Sequence, residues 1–445
     1  MKRLLAIWLG KLVFLVGRIT RRQTSASPGT MALKICPTLI SDMNRAVKKK
    51  IIVTCGTNGK TTTNNVICSA LEAKGYKVLC NRLGANMLTG VTTAYIEASN
   101  LLGKIDVDYA CLEIDEAYAK IIFKYITPDV IVITNLFRDQ LDRYGELDGT
   151  IGLINDAINL AKGVTLVLNA DDPVCARFGM RDDVKALYYG VSEKVFDEDD
   201  GTKEGKFCPV CGTELSYNYC HYSQLGDFFC KECGYKRHTP DYVINNISLG
   251  EPMKFSVNGQ ELSVNYKGFY NILNLSAVYV ALCALGESTD NFSELLSSYK
   301  PPTGRMQEFN MNKKVILSLS KNPAGFNQAI TTVNSDKRKK DVIVAINDNP
   351  ADGRDVSWIW GVNFDRLKNE NLNTLSTCGI RLYDIALRFK YSGITPDLVT
   401  ENMKEAVCKA LKTDSEIVYV MVNYTAVYRT EAILKEIEAE YKNEA

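Results

Sequence analysis

Histidine is almost absent from this sequence: His221 and His238 are the only two in 445 residues. Both lie in or beside a cysteine-rich insertion, which excludes a Cys-His nucleophile pair built elsewhere in the chain. Excess charge of one sign is lacking too. The 53 basic residues are matched by 52 acidic ones, so no overall field draws the protein toward nucleic acid. Beyond the first thirty residues, no run is long and apolar enough to span a bilayer. What remains is a soluble composition and a length that implies two or three domains. Cysteine is the residue in good supply, with 14 copies. Ten are scattered singly, and Cys68, Cys111, Cys283 and Cys408 read as reduced core residues, which favours a cytoplasmic location.

The amino-terminal segment, residues 1–34, departs from the soluble pattern. Leu4 to Gly17 is mostly apolar, but Lys11 interrupts it and argues against a cleaved signal. Arg3, Lys11, Arg18 and Arg22 fall at helical spacing on one face, with Leu, Ile, Val and Phe on the other. A basic amphipathic helix lying on the anionic inner face of the plasma membrane accounts for this pattern. A helix docked on the core is the alternative.

The chain is organised around Ile51 to Thr63. A β-branched run breaks at Gly56-Thr57-Asn58-Gly59-Lys60-Thr61-Thr62 and continues with helical period. Glycines let backbone N–H groups approach a polyphosphate, the following helix N-terminus adds partial positive charge, Lys60 adds a full one, and Thr61 offers a hydroxyl to Mg²⁺. Thr54 stands where the full phosphate-loop pattern has its first glycine. Strand-like runs at Lys77 to Cys80, Tyr109 to Ile114, Val130 to Thr134 and Val164 to Asn169 alternate with helical segments. The expected fold is therefore α/β, a doubly wound and largely parallel sheet whose ligands lie at the carboxyl ends of the strands. Glu113, Asn135 and Asn169 fall near such ends, and Glu113 is the candidate second ligand for Mg²⁺.

After a charged break at Asp197 to Asp200 comes an insertion, residues 205–238. Cys208-Pro-Val-Cys211 and Cys230-Lys-Glu-Cys233 are separated by eighteen residues, the spacing of a four-cysteine Zn²⁺ ribbon. Four thiolates close the coordination sphere, so the ion is structural; Cys220, His221 and His238 read as surface residues. Pro301-Pro302-Thr303-Gly304-Arg305 marks a hinge between a central domain, 35–303, and a smaller α/β domain, 304–445, with strand-like runs at Val315 to Leu319, Val342 to Ile346 and Ile417 to Val422.

Five motifs in order resemble those of the Mur ligase superfamily: Thr54 to Thr63, Thr134-Asn-Leu-Phe-Arg-Asp-Gln-Leu-Asp-Arg143, Leu168-Asn-Ala-Asp-Asp-Pro173, Asn271-x-x-Asn274 and Gly304-Arg-Met306. The ribbon, Lys321 to Gln328 and Asp352 to Trp360 resemble one branch of it, the MurT family, ATP-dependent subunits of lipid II isoglutaminyl synthase. The resemblance implies a ligase that converts a carboxylate and ATP to an acyl phosphate, which an amine then attacks. It places Lys60 and Thr61 on the phosphates and Mg²⁺, Glu113 on the same metal, Asn271 with Asn274 at the adenine, and Arg305 at the domain junction. It also implies a glutaminase partner resembling GatD, and an aspartate that orients the partner's catalytic histidine: Asp355, with Asp352 as alternative. Trp358 and Trp360, two apart in an extended segment, would present two aromatics on one side as an interface anchor or as core.

Departures from the family pattern sharpen the expectation. Gln140 stands where many members have histidine, and no lysine lies between Glu146 and Ala161, so a single Mg²⁺ is expected. Only about fifty residues precede Ile51, too few for a nucleotide-sugar-binding domain, which favours a lipid-linked acceptor over a soluble one. The expected activity is amidation of the D-glutamate α-carboxylate of the lipid II stem peptide with ammonia from the partner, in peptidoglycan synthesis. The alternatives are a ligase resembling folylpolyglutamate synthetase and a nucleotide-switched zinc-ribbon scaffold without catalysis.

Overall fold

The computed structural model describes residues 1–20, 24–82, 85–137, 147–196, 205–265, 267–298 and 303–444. Arg22, the motif residues Arg138 to Arg143 with Gln140, the break at 197–200 and the Pro301-Pro302 pair lie outside them. Three short helices lead in: α1 (Lys2–Ile19), α2 (Ser27–Ile35) and α3 (Leu39–Asn44). Then β1 (Val47–Cys55), α4 (Lys60–Ala73), β2 (Val78–Cys80), α5 (Leu88–Ala98), β3 (Val107–Glu113), α6 (Glu116–Ile122), β4 (Val130–Ile133), β5 (Thr165–Asn169) and β6 (Lys185–Val191) form the alternating α/β body. The ribbon hairpin is β7 (Ser216–Tyr222) and β8 (Leu225–Phe229), and a meander follows: β9 (Tyr242–Ser248), β10 (Met253–Val257) and β11 (Gln260–Val264).

Nine strands form one sheet in the order β11-β10-β9-β6-β5-β4-β1-β3-β2. It is parallel from β2 to β9 and antiparallel only along β9, β10 and β11. The central strands are uninterrupted apolar runs because both faces are covered; Val130–Ile133 is buried at every residue. The helix Tyr270–Leu285 is buried almost throughout and covers one face. A second sheet carries the rest of the chain: β12 (Arg305–Asn310), β13 (Lys314–Leu319), β14 (Lys340–Ala345), β15 (Leu372–Cys378), β16 (Leu398–Val399) and β17 (Ile417–Val422). Its order is β12-β13-β17-β14-β15-β16, with only β12 antiparallel.

The amino-terminal helix departs from the expected single apolar face. Ala6, Ile7, Gly10 and Gly17 of α1 are buried, while Leu5, Trp8, Leu12, Leu15, Val16 and Ile19 are exposed on the opposite side. Arg3 is turned to the body of the protein, its guanidinium donating to Gly103 O. Small residues provide the docking surface because helices approach closely only where Cβ atoms are missing. At Gly29 of α2 an added Cβ would lie 1.9 Å from Thr89 O of α5. Among the described residues, no helix is long and apolar enough to cross a membrane.

Three other expectations need correction. Cys68 is not a free core thiol: α4 packs on β2, and Cys68 is disulfide-bonded to Cys80, with Cα atoms 6.7 Å apart. Cys220 and His221 are buried rather than on the surface, because β7 faces the central sheet and His221 packs against Phe269. Trp358 and Trp360 do not share a side, since residues Ser357–Gly361 form a 3-10 turn instead of an extended segment. Trp358 packs inward on Phe326, and Trp360 lies outward on Tyr391.

Candidate functional site

β1 runs between β3 and β4, so the carboxyl ends of all three open on one edge of the sheet. The chain leaves β1 at Cys55 and enters α4 at Lys60, with Gly56 and Gly59 in positive-φ conformations that side chains disfavour. A Cβ on Gly59 would lie 2.1 Å from Asn274 Oδ1, so the loop passes directly over the helix Tyr270–Leu285. Asn135, just past β4, holds the loop: its Oδ1 accepts from Asn58 N–H at 2.8 Å and its Nδ2 donates to Asn58 O at 3.0 Å. Thr57 N–H donates to Asn135 O at 2.8 Å.

Lys60 is buried and donates to Glu116 Oε1 at 2.9 Å and to Gly56 O. The same Glu116 oxygen accepts from Gly56 N–H at 2.8 Å. Burial would lower the lysine's pKa, but the carboxylates of Glu116, Asp115 and Glu113 outweigh it and raise it, so Lys60 remains a cation. Glu116 was not singled out from the sequence; its place beside Glu113 is the only signal there. Glu113 ends β3, is buried, and accepts from Asn86 Nδ2 at 3.1 Å.

Thr57, Asn58, Lys60, Thr61, Glu113 and Asn274 face a cavity of ≈680 Å³, closed on its far side by the second sheet through Arg305, Ser320, Lys321 and Gln328. Asn271 does not line it; its amide donates to Lys267 O at 2.7 Å. Thr62 is buried in α4 behind the loop. The positive-φ loop, the retained lysine cation, and Thr61 and Glu113 on one cavity fit a nucleoside triphosphate with Mg²⁺.

Two side chains join the halves of this cavity. Asn58 Nδ2 donates to Asn322 Oδ1 at 3.3 Å and Asn322 Nδ2 donates to Asn58 Oδ1 at 3.1 Å. Asn322 also caps the helix Pro323–Ser335, accepting from Gly325 N–H at 2.8 Å. The two asparagines are 264 positions apart, and no sequence pattern couples them.

The sulfur atoms of Cys208, Cys211, Cys230 and Cys233 all lie within 4.8 Å of one another, a donor set that fits a tetrahedral Zn²⁺. The ribbon is fastened to the same edge of the sheet that carries the loop. Arg237 pairs with buried Asp171 at 2.7 Å, Tyr235 OH donates to Pro173 O at 2.6 Å, and Gln224 Nε2 donates to Leu136 O at 2.7 Å. Leu136 directly follows Asn135, so the ribbon supports the loop's own support. Cys230→Ser is expected to abolish bound zinc and to open residues 205–238 to protease, since metal-linked folding of such units is worth on the order of 10 kcal/mol in isolated peptides. Metal analysis and limited proteolysis check this; a wild-type chain free of zinc would remove the assignment.

Asp352 and Asp355 differ sharply. Asp352 is buried and accepts from Thr425 N–H at 2.8 Å and from the Thr425 hydroxyl. Asp355 is exposed, and its carboxylate accepts from Ser357 N–H at 2.8 Å, which lowers its pKa.

Comparison with known proteins agrees with this architecture. A family profile described as "Mur ligase middle domain" matches residues 53–230, and one described as "MurT ligase C-terminal" matches residues 319–427. The chain is 33% identical over 430 residues to "Lipid II isoglutaminyl synthase (glutamine-hydrolyzing) subunit MurT" of Staphylococcus aureus (strain COL), covering 96% of each chain. It is 32% identical over 433 residues to the protein of the same name from Streptococcus pneumoniae, covering 95% of this chain and 94% of that one. Among solved structures, a pseudomurein peptide ligase type C from Methanothermus fervidus aligns with TM-score 0.69 and 26% identity over 88% of this chain and 79% of that one. MurF ligase from Thermotoga maritima in complex with ADP aligns with TM-score 0.65 and 17% identity over 93% and 85%, which bears on the fold alone. An ATP-dependent ligase architecture with a MurT-type second sheet thus extends over nearly the whole sequence, and the chain belongs to the MurT family of Mur ligases.

Proposed function

We propose that this chain is the ligase subunit that amidates the α-carboxylate of D-glutamate in the lipid II stem peptide. The observation that carries this reading is the cavity in which Lys60, Thr61 and Glu113 stand opposite Arg305 and Lys321 of the second sheet. Mg²⁺ held by Thr61 and Glu113 would offset phosphate charge. Lys60 and the α4 N-terminus bind the triphosphate and stabilise charge moving onto the leaving ADP. A carboxylate oxygen attacks the γ-phosphorus, ADP departs, and the acyl phosphate gains a leaving group that the carboxylate lacked. Ammonia then adds at the carbonyl carbon, phosphate leaves, and a proton is released to give the amide. Arg305 and Lys321, brought in by the second sheet, help to seal the anhydride from water.

Ammonia needs a source in another chain. His221 is buried against Phe269 and His238 stacks on Tyr188; neither lines the cavity. A glutaminase partner fits, and we assign Asp355 rather than Asp352 to its active site. Asp355 is exposed and its carboxyl is held below the usual range by Ser357 N–H, whereas Asp352 is buried and committed to Thr425. The test supplies the purified chain with Mg-ATP, ammonium and lipid II and follows the stem peptide by mass spectrometry. Conversion of one acid to an amide, with ADP formed in step, is expected. Failure with and without the glutaminase, alongside ATP-dependent glutamylation of a folate, would overturn the reading.

A further inference from the structure

The outward face of α1 remains unexplained by the ligase site. Leu5, Trp8, Leu12, Leu15 and Ile19 recur at alternating spacings of three and four, each about half exposed or more, so they form one continuous apolar stripe. The stripe is extended sideways. Trp8 Nε1 donates to Leu101 O at 2.7 Å and Arg3 Nη2 to Gly103 O at 2.8 Å, which fixes the 100–103 loop against the helix with Leu101 and Leu102 exposed. The helix itself carries charge of one sign: Lys2, Arg3, Lys11 and Arg18 and no acidic residue, and Lys104 adjoins the loop. One carboxylate, Glu97 of α5, lies close to Lys11.

We infer that α1 and the 100–103 loop form a platform that seats this chain on an anionic bilayer surface. The inference rests in part on the lipid-linked acceptor proposed above. An 18-residue helix lies flat over about 27 Å and places its stripe at the headgroup boundary, with Trp8 in the interfacial position that tryptophan favours. A second copy is a poorer occupant. Two heptads are short for a coiled coil, and copies with only basic flanks repel, whereas anionic headgroups complement those flanks. The platform is close in sequence to the site: Ser25 and Ala26, just before α2, line the ligase cavity.

Sedimentation of the full chain with sucrose-loaded vesicles tests this, using phosphatidylcholine alone or with phosphatidylglycerol, and neither ATP nor acceptor present. The chain should sediment with the phosphatidylglycerol vesicles and be partly released by salt. Leu12→Asp/Leu15→Asp, both at exposed positions, should lower partitioning by more than about tenfold while leaving the circular dichroism spectrum unchanged. Wild type remaining in the supernatant, or the aspartate pair sedimenting equally, would overturn the platform. So would a wild-type dimer that the aspartate pair dissolves, or loss of the glutaminase by that pair, because either gives the stripe to another protein. The acceptor-free assay separates this inference from the ligase reading: amidation of detergent-dispersed acceptor should be equal in wild type and the aspartate pair.

Discussion

Lys60→Ala should reduce both glutamine-dependent and ammonium-dependent amidation by at least about 10²- to 10³-fold, the scale of losing a main stabiliser of transition-state charge in a water-poor site. Both assays should fall because the proposed role of the lysine is in phosphoryl transfer, which precedes ammonia. The variant carries a second effect. Lys60 is the buried partner of Glu116, and removing one member of a buried pair costs about 3–5 kcal/mol because the other charge is left uncompensated. Thermal melting should therefore show a less stable chain. Adding Glu116→Gln removes that charge and keeps an oxygen for Gly56 N–H, so the double variant should regain stability without regaining turnover. A stable double variant that still consumes ATP in step with amide formation would sink the phosphate-loop assignment.

Asp355→Asn should separate the two ammonia sources. With glutamine the rate should fall by about 10³- to 10⁴-fold, the scale seen when an aspartate that orients a catalytic histidine becomes an amide. With ammonium it should hardly change, since Asp355 is exposed and does not line the ligase cavity. Asp352→Asn provides the contrast: it weakens the bonds to Thr425 at the start of the Tyr424–Glu444 helix, so its signature should be a lower melting temperature. Equal loss of both activities in Asp355→Asn would refute its proposed role.

The parts of this molecule legible in its sequence are those whose chemistry is local. Gly56, Gly59 and Lys60 announce themselves because a loop of this kind is contiguous in sequence, and the four clustered cysteines because two tight turns set their spacing. Buried strands such as Val130–Ile133 are readable as apolar runs. What was hidden depends on topology. Glu116 meets Lys60 only because β3 lies beside β1, and Asn322 meets Asn58 only because the second sheet closes the cavity. The docking face of α1 is hidden in the sequence because, Ile7 apart, it consists of Ala6, Gly10 and Gly17, which a search for large apolar residues passes over. The tryptophans were misplaced because a 3-10 turn sends residues two apart in different directions, whereas a strand would align them.

The amide pair between Asn58 and Asn322 has a thermodynamic corollary. One member sits on the nucleotide loop; the other caps a helix of the body that bears Asp355. To whatever extent nucleotide changes the free energy of that junction, and the junction changes how Asp355 is presented, the glutaminase's affinity shifts by some factor. Reciprocity then requires the glutaminase to shift nucleotide affinity by the same factor. The pair of carboxamides would then be a link through which the two affinities, for nucleotide and for partner, are coupled.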